Sequence, residues 1–125
     1  IRREKASSNI CTNQTLNAVG STIHLSWLGP EGLYEIGYQA IQKASYMKQA
    51  LIENGFTVLN NNTSLREFLI QTKRLAEDVI LEMGSKGFLA GIKYSDNEIL
   101  IAVTEKRTRE QIDNYVESLM EVDNA

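Results

Sequence analysis

The hydrophobic period of the chain changes at Gly55, and that change limits what it can fold into. Before Gly55 apolar residues recur at steps of three and four; after it, short strand-like runs alternate with two further helical stretches. Leu16, Val19, Ile23 and Trp27 form one stripe over residues 9–28, with Gly20, Ser21 and His24 on the opposite side. Ser8, Asn9 or Thr12 is placed to cap the start of this helix. Gly29-Pro30 ends it, because proline lacks an amide donor and disfavours helix just before itself. Pro30 then suits the first turn of a second helix over residues 30–54, with Leu33, Ile36, Ala40, Ala44, Met47 and Leu51 in its stripe. Gly55 is a natural C-cap, since glycine enters the left-handed region at no steric cost. Two antiparallel helices joined tightly at Gly29-Pro30 are expected.

Beyond Gly55, residues 56–60 and 67–72 read as strands, with the turn cluster Asn60-Asn61-Asn62-Thr63-Ser64 between them. Residues 75–86 read as a helix with Ala76, Val79, Ile80 and Met83 inward and Gly84 and Gly87 at its fraying end. Residues 88–92 and 99–104 read as strands joined through Ser95-Asp96-Asn97. Ile99-Leu100-Ile101-Ala102-Val103 is apolar on both faces, the signature of a central strand. Thr108 with Gln111 three residues on makes a capping box, and Ile112, Tyr115, Val116, Leu119 and Met120 form the stripe of a helix lying on a sheet.

The expected order is therefore α-α-β-β-α-β-β-α. The last six elements make an α/β unit of the α+β kind, a two-layer sandwich with a mostly antiparallel sheet and helices on one face. It is preceded by the helical hairpin. The expected boundary lies near Gly55, between a helical segment at residues 1–55 and a sheet domain at residues 56–125.

Composition removes several function classes. The chain has 125 residues, a net charge of −3 and a pI near 5.2, a balance with no global pull toward nucleic acid or anionic membrane. No apolar run approaches the roughly 20 residues of a membrane span, and no signal peptide is visible. Cys11 stands alone, so an internal disulfide is excluded and a cytoplasmic location is expected. The chain opens on Ile1 and the charged run Arg2-Arg3-Glu4-Lys5, which reads as a piece of a longer polypeptide.

Candidate chemistry is sparse. His24 has no second histidine or acid at ligand spacing, so no metal site is expected. Cys11 has no CxxC partner, and an inert small residue is the better reading than a helix N-terminal thiol. Gly84-Ser85-Lys86-Gly87 lacks the preceding strand and following helix of a phosphate loop, and reads as a helix end. Catalytic residues are expected to be none. On these grounds alone the function is unreadable.

Three stretches carry a resemblance. Ile1-Arg2-Arg3-Glu4-Lys5-Ala6-Ser7-Ser8-Asn9-Ile10-Cys11-Thr12-Asn13-Gln14 resembles the run that follows the large domain in subunit 1 of two-subunit glycine decarboxylases, the P-proteins of the glycine cleavage system. Leu28-Gly29-Pro30-Glu31-Gly32-Leu33 resembles the helix junction that comes next, and Val103-Thr104-Glu105-Lys106-Arg107-Thr108-Arg109-Glu110-Gln111-Ile112-Asp113 the closing strand-to-helix segment. Ser7 stands where that family often has threonine. Between Phe56 and Asp96 the resemblance rests on spacing alone.

The resemblance implies the small C-terminal domain of a fold-type I pyridoxal-phosphate enzyme, with residues 1–55 bridging to a large domain. It implies an assembly that decarboxylates glycine and passes the aminomethyl group to the lipoyl group of the H-protein. Subunit 2 is the implied partner and the expected owner of the Schiff-base lysine, so no cofactor is expected on this piece. Lys5, Lys43, Lys48, Lys73, Lys86, Lys93 and Lys106 all sit in charged or amphipathic settings, unlike the desolvated lysine such chemistry needs. Arg2, Arg3, Asn9 and Thr12 are expected toward the subunit interface near the active-site mouth. Their run has no apolar period, and arginine suits pairing across an interface. A non-enzymatic interaction or regulatory module of ferredoxin-like shape is the alternative, because that sandwich hosts many functions.

Overall fold

A computed structural model describes Glu4, residues 14–59 and residues 64–125. Its elements are α1 (Thr15–Glu53), β1 (Thr57–Val58), β2 (Glu67–Gln71), α2 (Ala76–Ser85), β3 (Ile92–Ser95), β4 (Glu98–Ala102) and α3 (Arg109–Asn124). They fall into two compact units, residues 1–34 and 35–125. The division of compactness lies between Tyr34 and Glu35.

The two helices expected on either side of Gly29-Pro30 are both present within α1, which is two helices meeting at a kink at Gly29, whose φ of 63° and ψ of −177° are not helical. The physical reason is local. Pro30 restricts the residue before it, and glycine alone takes that positive φ freely, so a single residue absorbs the whole break. The second part of α1 belongs to the sheet unit by packing, since Ala44, Met47 and Leu51 are buried in its core.

The sheet has the order β1-β2-β4-β3, antiparallel throughout. Phe68 and Ile70 of β2 pair with Ile101 and Ile99 of β4, and all four are buried. Against them pack Val79 and Met83 of α2 and Ile112, Val116 and Leu119 of α3. Strand residues alternate faces, so one face of the sheet carries the core while the other holds Glu67, Leu69, Gln71, Glu98, Leu100 and Ala102. This is the expected two-layer α+β sandwich, with β4 in the middle of the sheet.

The strand expected over residues 88–92 is displaced: β3 begins at Ile92, and residues 88–91 carry no ladder. Two observations account for the shift. The Ala90 carbonyl accepts the Tyr115 hydroxyl, at 2.5 Å, and Gly91 sits at φ 144°. Gly91 is also pressed against β4, where an added Cβ would lie 2.5 Å from the Leu100 carbonyl oxygen. Further on, the β3–β4 pairing slips between Lys93 and Ser95, a β-bulge.

The helix ends follow the sequence closely. The Thr108 hydroxyl accepts from the Gln111 amide while the Gln111 side chain accepts from the Thr108 amide, the full capping box at the start of α3. Helix α2 stops at Ser85, and Gly87 takes φ 87° just beyond, so Gly84-Ser85-Lys86-Gly87 is a helix end.

Candidate functional site

Arg2, Arg3, Asn9 and Thr12, the residues expected at an interface, lie outside the described residues, as does Cys11. The functional geometry that can be built comes from the apolar face of α1 before its break, and from the junctions of the sheet unit.

On α1 the predicted stripe forms and is exposed. Leu16 and Trp27 are 83% and 81% exposed, and Val19 and Ile23 are exposed between them. Three helical turns of large apolar side chains held in water are the mark of a surface made for contact. His24 is exposed on the same helix, its ring centroid 6.4 Å from that of Trp27. Among the described residues no group of three His, Cys, Asp or Glu side chains could hold a metal ion.

Within the sheet unit, three polar junctions fix α3. Asp123 is buried, and its carboxylate accepts from the amides of Lys73, at 2.9 and 3.1 Å, and Arg74, at 3.2 Å, which pins the turn between β2 and α2. The Tyr46 hydroxyl donates to Asp113 at 2.6 Å and accepts from the Arg109 side chain at 3.1 Å. The guanidinium also lies 5.1 Å from the Tyr46 ring centre. The bond to Tyr46, and then Asp113, hold Arg109 above its ordinary pKa. Tyr115 is nearly enclosed, and burial pushes its phenol pKa up.

Tyr115 also lines a cavity of about 570 Å³ with Met47, Phe88, Val103, Arg107 and Gln111. Its wall is mixed: apolar side chains are joined by the polar groups of Thr104, Arg107, Gln111 and Tyr115. Such a site can hold an apolar group with a polar tip, but these side chains include no acid–base pair and no activated nucleophile. Sequence reading placed Met47, Gln111, Ile112 and Tyr115 on their helices but missed this cavity, because its lining is gathered from α1, the 87–90 segment, β4 and α3.

The lysines can be tested as cofactor holders. A Schiff base needs a free amine facing a cavity. Instead Lys43 donates to the Glu105 carbonyl, Lys73 to Asn124, and Lys48, buried on α1, to Ser64 at 3.4 Å. Lys86 is paired with Glu121 at 2.7 Å and Lys93 with Glu77 at 3.4 Å. These five amines do not fit the role.

A family model described as "Glycine cleavage system P-protein" matches residues 1–119. A probable glycine dehydrogenase (decarboxylating) subunit 1 from Staphylococcus aureus (strain JH9) is 44% identical over 130 residues, covering 99% of this chain and 29% of its own length. The corresponding protein of Staphylococcus haemolyticus (strain JCSC1435) is 40% identical over 131 residues, covering 100% of this chain and 29% of its own length. A crystal structure of glycine decarboxylase (P-protein) of the glycine cleavage system, in inhibitor-bound form, superposes with a TM-score of 0.83 at 32% identity, over 98% of this chain and 29% of that one. The chain therefore spans under a third of the length of the relatives it matches.

Proposed function

The chain belongs to the glycine cleavage system P-protein family, and from that premise we propose that it is the C-terminal portion of subunit 1 of a two-subunit glycine decarboxylase. The whole enzyme decarboxylates glycine with pyridoxal phosphate and transfers the aminomethyl group to the lipoyl group of the H-protein. The observation that carries this reading is the joint match of sequence and fold: 44% identity to a subunit 1 over 99% of the chain, with a TM-score of 0.83 to a P-protein structure.

The five engaged lysines support placing the cofactor's lysine on subunit 2. The part of this chain is positional. The helical segment ahead of the sheet, residues 1–55, bridges to the large domain. Ala40, Ala44, Met47 and Leu51 are buried with the second unit, which supports assigning the bridging contacts in this reading to the part of the segment ahead of them. The uncovered stripe from Leu16 to Trp27 supplies the apolar surface a bridge requires. Arg2, Arg3, Asn9 and Thr12 stand toward subunit 2, near the active-site mouth, where arginine pairs carboxylates or phosphates in a bidentate fork. Among the described residues no helix is long and apolar enough to cross a membrane. With Cys11 as the only cysteine, a cytoplasmic setting follows in this reading.

Reconstitution tests the proposal. Full-length subunit 1, subunit 2 and H-protein are combined with pyridoxal phosphate, and exchange of the glycine carboxyl carbon is measured. Activity is expected only when subunit 1 is present. The 125-residue piece alone is expected to form no saturable, borohydride-trappable adduct at one lysine; a stoichiometric adduct there sinks the division of labour. Replacing Arg2 and Arg3 by alanine in the assembly should weaken association or turnover by about 1–3 kcal/mol, the cost of a lost charge-assisted hydrogen bond. Wild-type association and turnover in that variant would remove these arginines from the interface.

A further inference from the structure

The outer face of the sheet carries an apolar row on the side away from α2, α3 and the second part of α1. The Leu59 amide donates to the Leu69 carbonyl at 3.0 Å, which sets Leu59 beside Leu69. Leu69 pairs with Leu100, and Leu100 with Ile92. Directly opposed residues of antiparallel strands share a face, so Leu59, Leu69, Leu100 and Ile92 line up across all four strands. The end members are 43% and 69% exposed, and Ala102 is exposed beside the row. A strand that is apolar on both faces, as β4 is, belongs to a sheet covered on both faces. Among the described residues of this unit, one cover is present, built by α2, α3 and the second part of α1.

Size decides what kind of cover fits. Four strands at about 4.8 Å spacing and five residues of strand give a face of about 14 by 17 Å, on the order of 250 Å². A stable interface between separate proteins takes about 800 Å² from each partner. A segment tethered on the same polypeptide needs no such area, because the tether holds it at an effective concentration in the millimolar range. More than two thirds of each matched relative lies outside the part that this chain spans. The charges on the outer face are Glu67 and Glu98, at opposite ends of the β2–β4 pairing, and both are negative.

We infer that the outer face is the docking site for an apolar segment of the same full-length polypeptide, lying outside these 125 residues and carrying lysine or arginine opposite Glu67 and Glu98. This rests on the chain being a piece of a longer P-protein subunit. It does not rest on any activity of that subunit.

Site-resolved thiol labelling of full-length subunit 1, without subunit 2, tests it. Ile92→Cys and Leu100→Cys are introduced separately, and each labelling rate is read by mass spectrometry against the same protein in urea. The expected result is protection of roughly 100-fold or more at both positions, unchanged over a wide range of protein concentration. Labelling near the urea rate at both positions overturns the inference. So does protection that grows with concentration, which assigns the face to a second copy, or protection that arises only on adding subunit 2. Glu67→Lys with Glu98→Lys in the Ile92→Cys background should speed labelling by roughly 10-fold, as like charges meet across the docking site. No change in rate overturns the basic flank. Because labelling needs no turnover, a protected but inactive subunit 1 would count against the decarboxylase reading and leave this inference standing.

Discussion

Two residues of α3 show how single side chains fix this sheet unit. Asp123 gives a buried carboxylate to the amides of Lys73 and Arg74, and so joins the end of the chain to a turn about 50 residues earlier. Tyr115 gives a buried hydroxyl to the Ala90 carbonyl, while its ring meets Phe88 edge-on at 5.7 Å. Burial raises the Tyr115 pKa, so the folded state holds the phenolic proton more tightly than the unfolded chain. The contribution is complete below the unfolded pKa of about 10 and is lost as pH rises above it. Tyr115→Phe should therefore remove about 1.4 kcal/mol per pH unit from the alkaline slope of stability. It should cost about 0.5–1.5 kcal/mol at neutral pH, where the Ala90 carbonyl loses its donor. Urea melts at pH 7 and between pH 10 and 11 check both parts; an unaltered alkaline slope would show that the phenol titrates freely. The inward place of Tyr115 is readable from its period with Ile112 and Val116. Its partner is not, because a bond across 25 residues leaves no local mark on sequence.

At the scale of elements, the readable parts are those set by local chemistry. The box of Thr108 and Gln111 announces α3 because both bonds close within four residues. Thr108→Ala should cost about 1 kcal/mol, seen as a lower urea midpoint with an unchanged m-value. A loss below a few tenths of a kcal/mol would mean that the helix start is held by packing instead. β4 was readable as central because its run is apolar on both faces. β3 was not. Phe88 and Leu89 look more strand-like than Lys93 and Ser95, yet the ladder begins only at Ile92. Tertiary contacts override propensity there, through the close approach of Gly91 to β4 and the Ala90–Tyr115 bond. The break in α1 was legible at Gly29-Pro30. So was the second helix beyond it, because proline suits a first helical turn. Of the candidate site, the α1 stripe could be read as a pattern, but its exposure could not: period shows which residues share a face, and nothing in it shows what lies opposite.

At the scale of the molecule, the core begins at Ala40 and every buried apolar side chain among the described residues lies between there and Val122. Residues 35–125 should accordingly fold without the first 34. The truncated chain is expected to melt in one cooperative transition within about 4–8 °C of the 125-residue chain, the shift that ~1 kcal/mol makes at this size. Circular dichroism on both chains decides it, and a sloping, non-cooperative melt would place part of the core's support in residues 1–34. The sheet has one further property at this scale. One edge is a strand of two residues, Thr57–Val58, and the other is β3, distorted by its bulge and carrying Lys93. Neither offers a long, flat row of amides and carbonyls on which another strand could add. Growth of the sheet by strand addition is thus disfavoured at both edges, although its outer face is apolar.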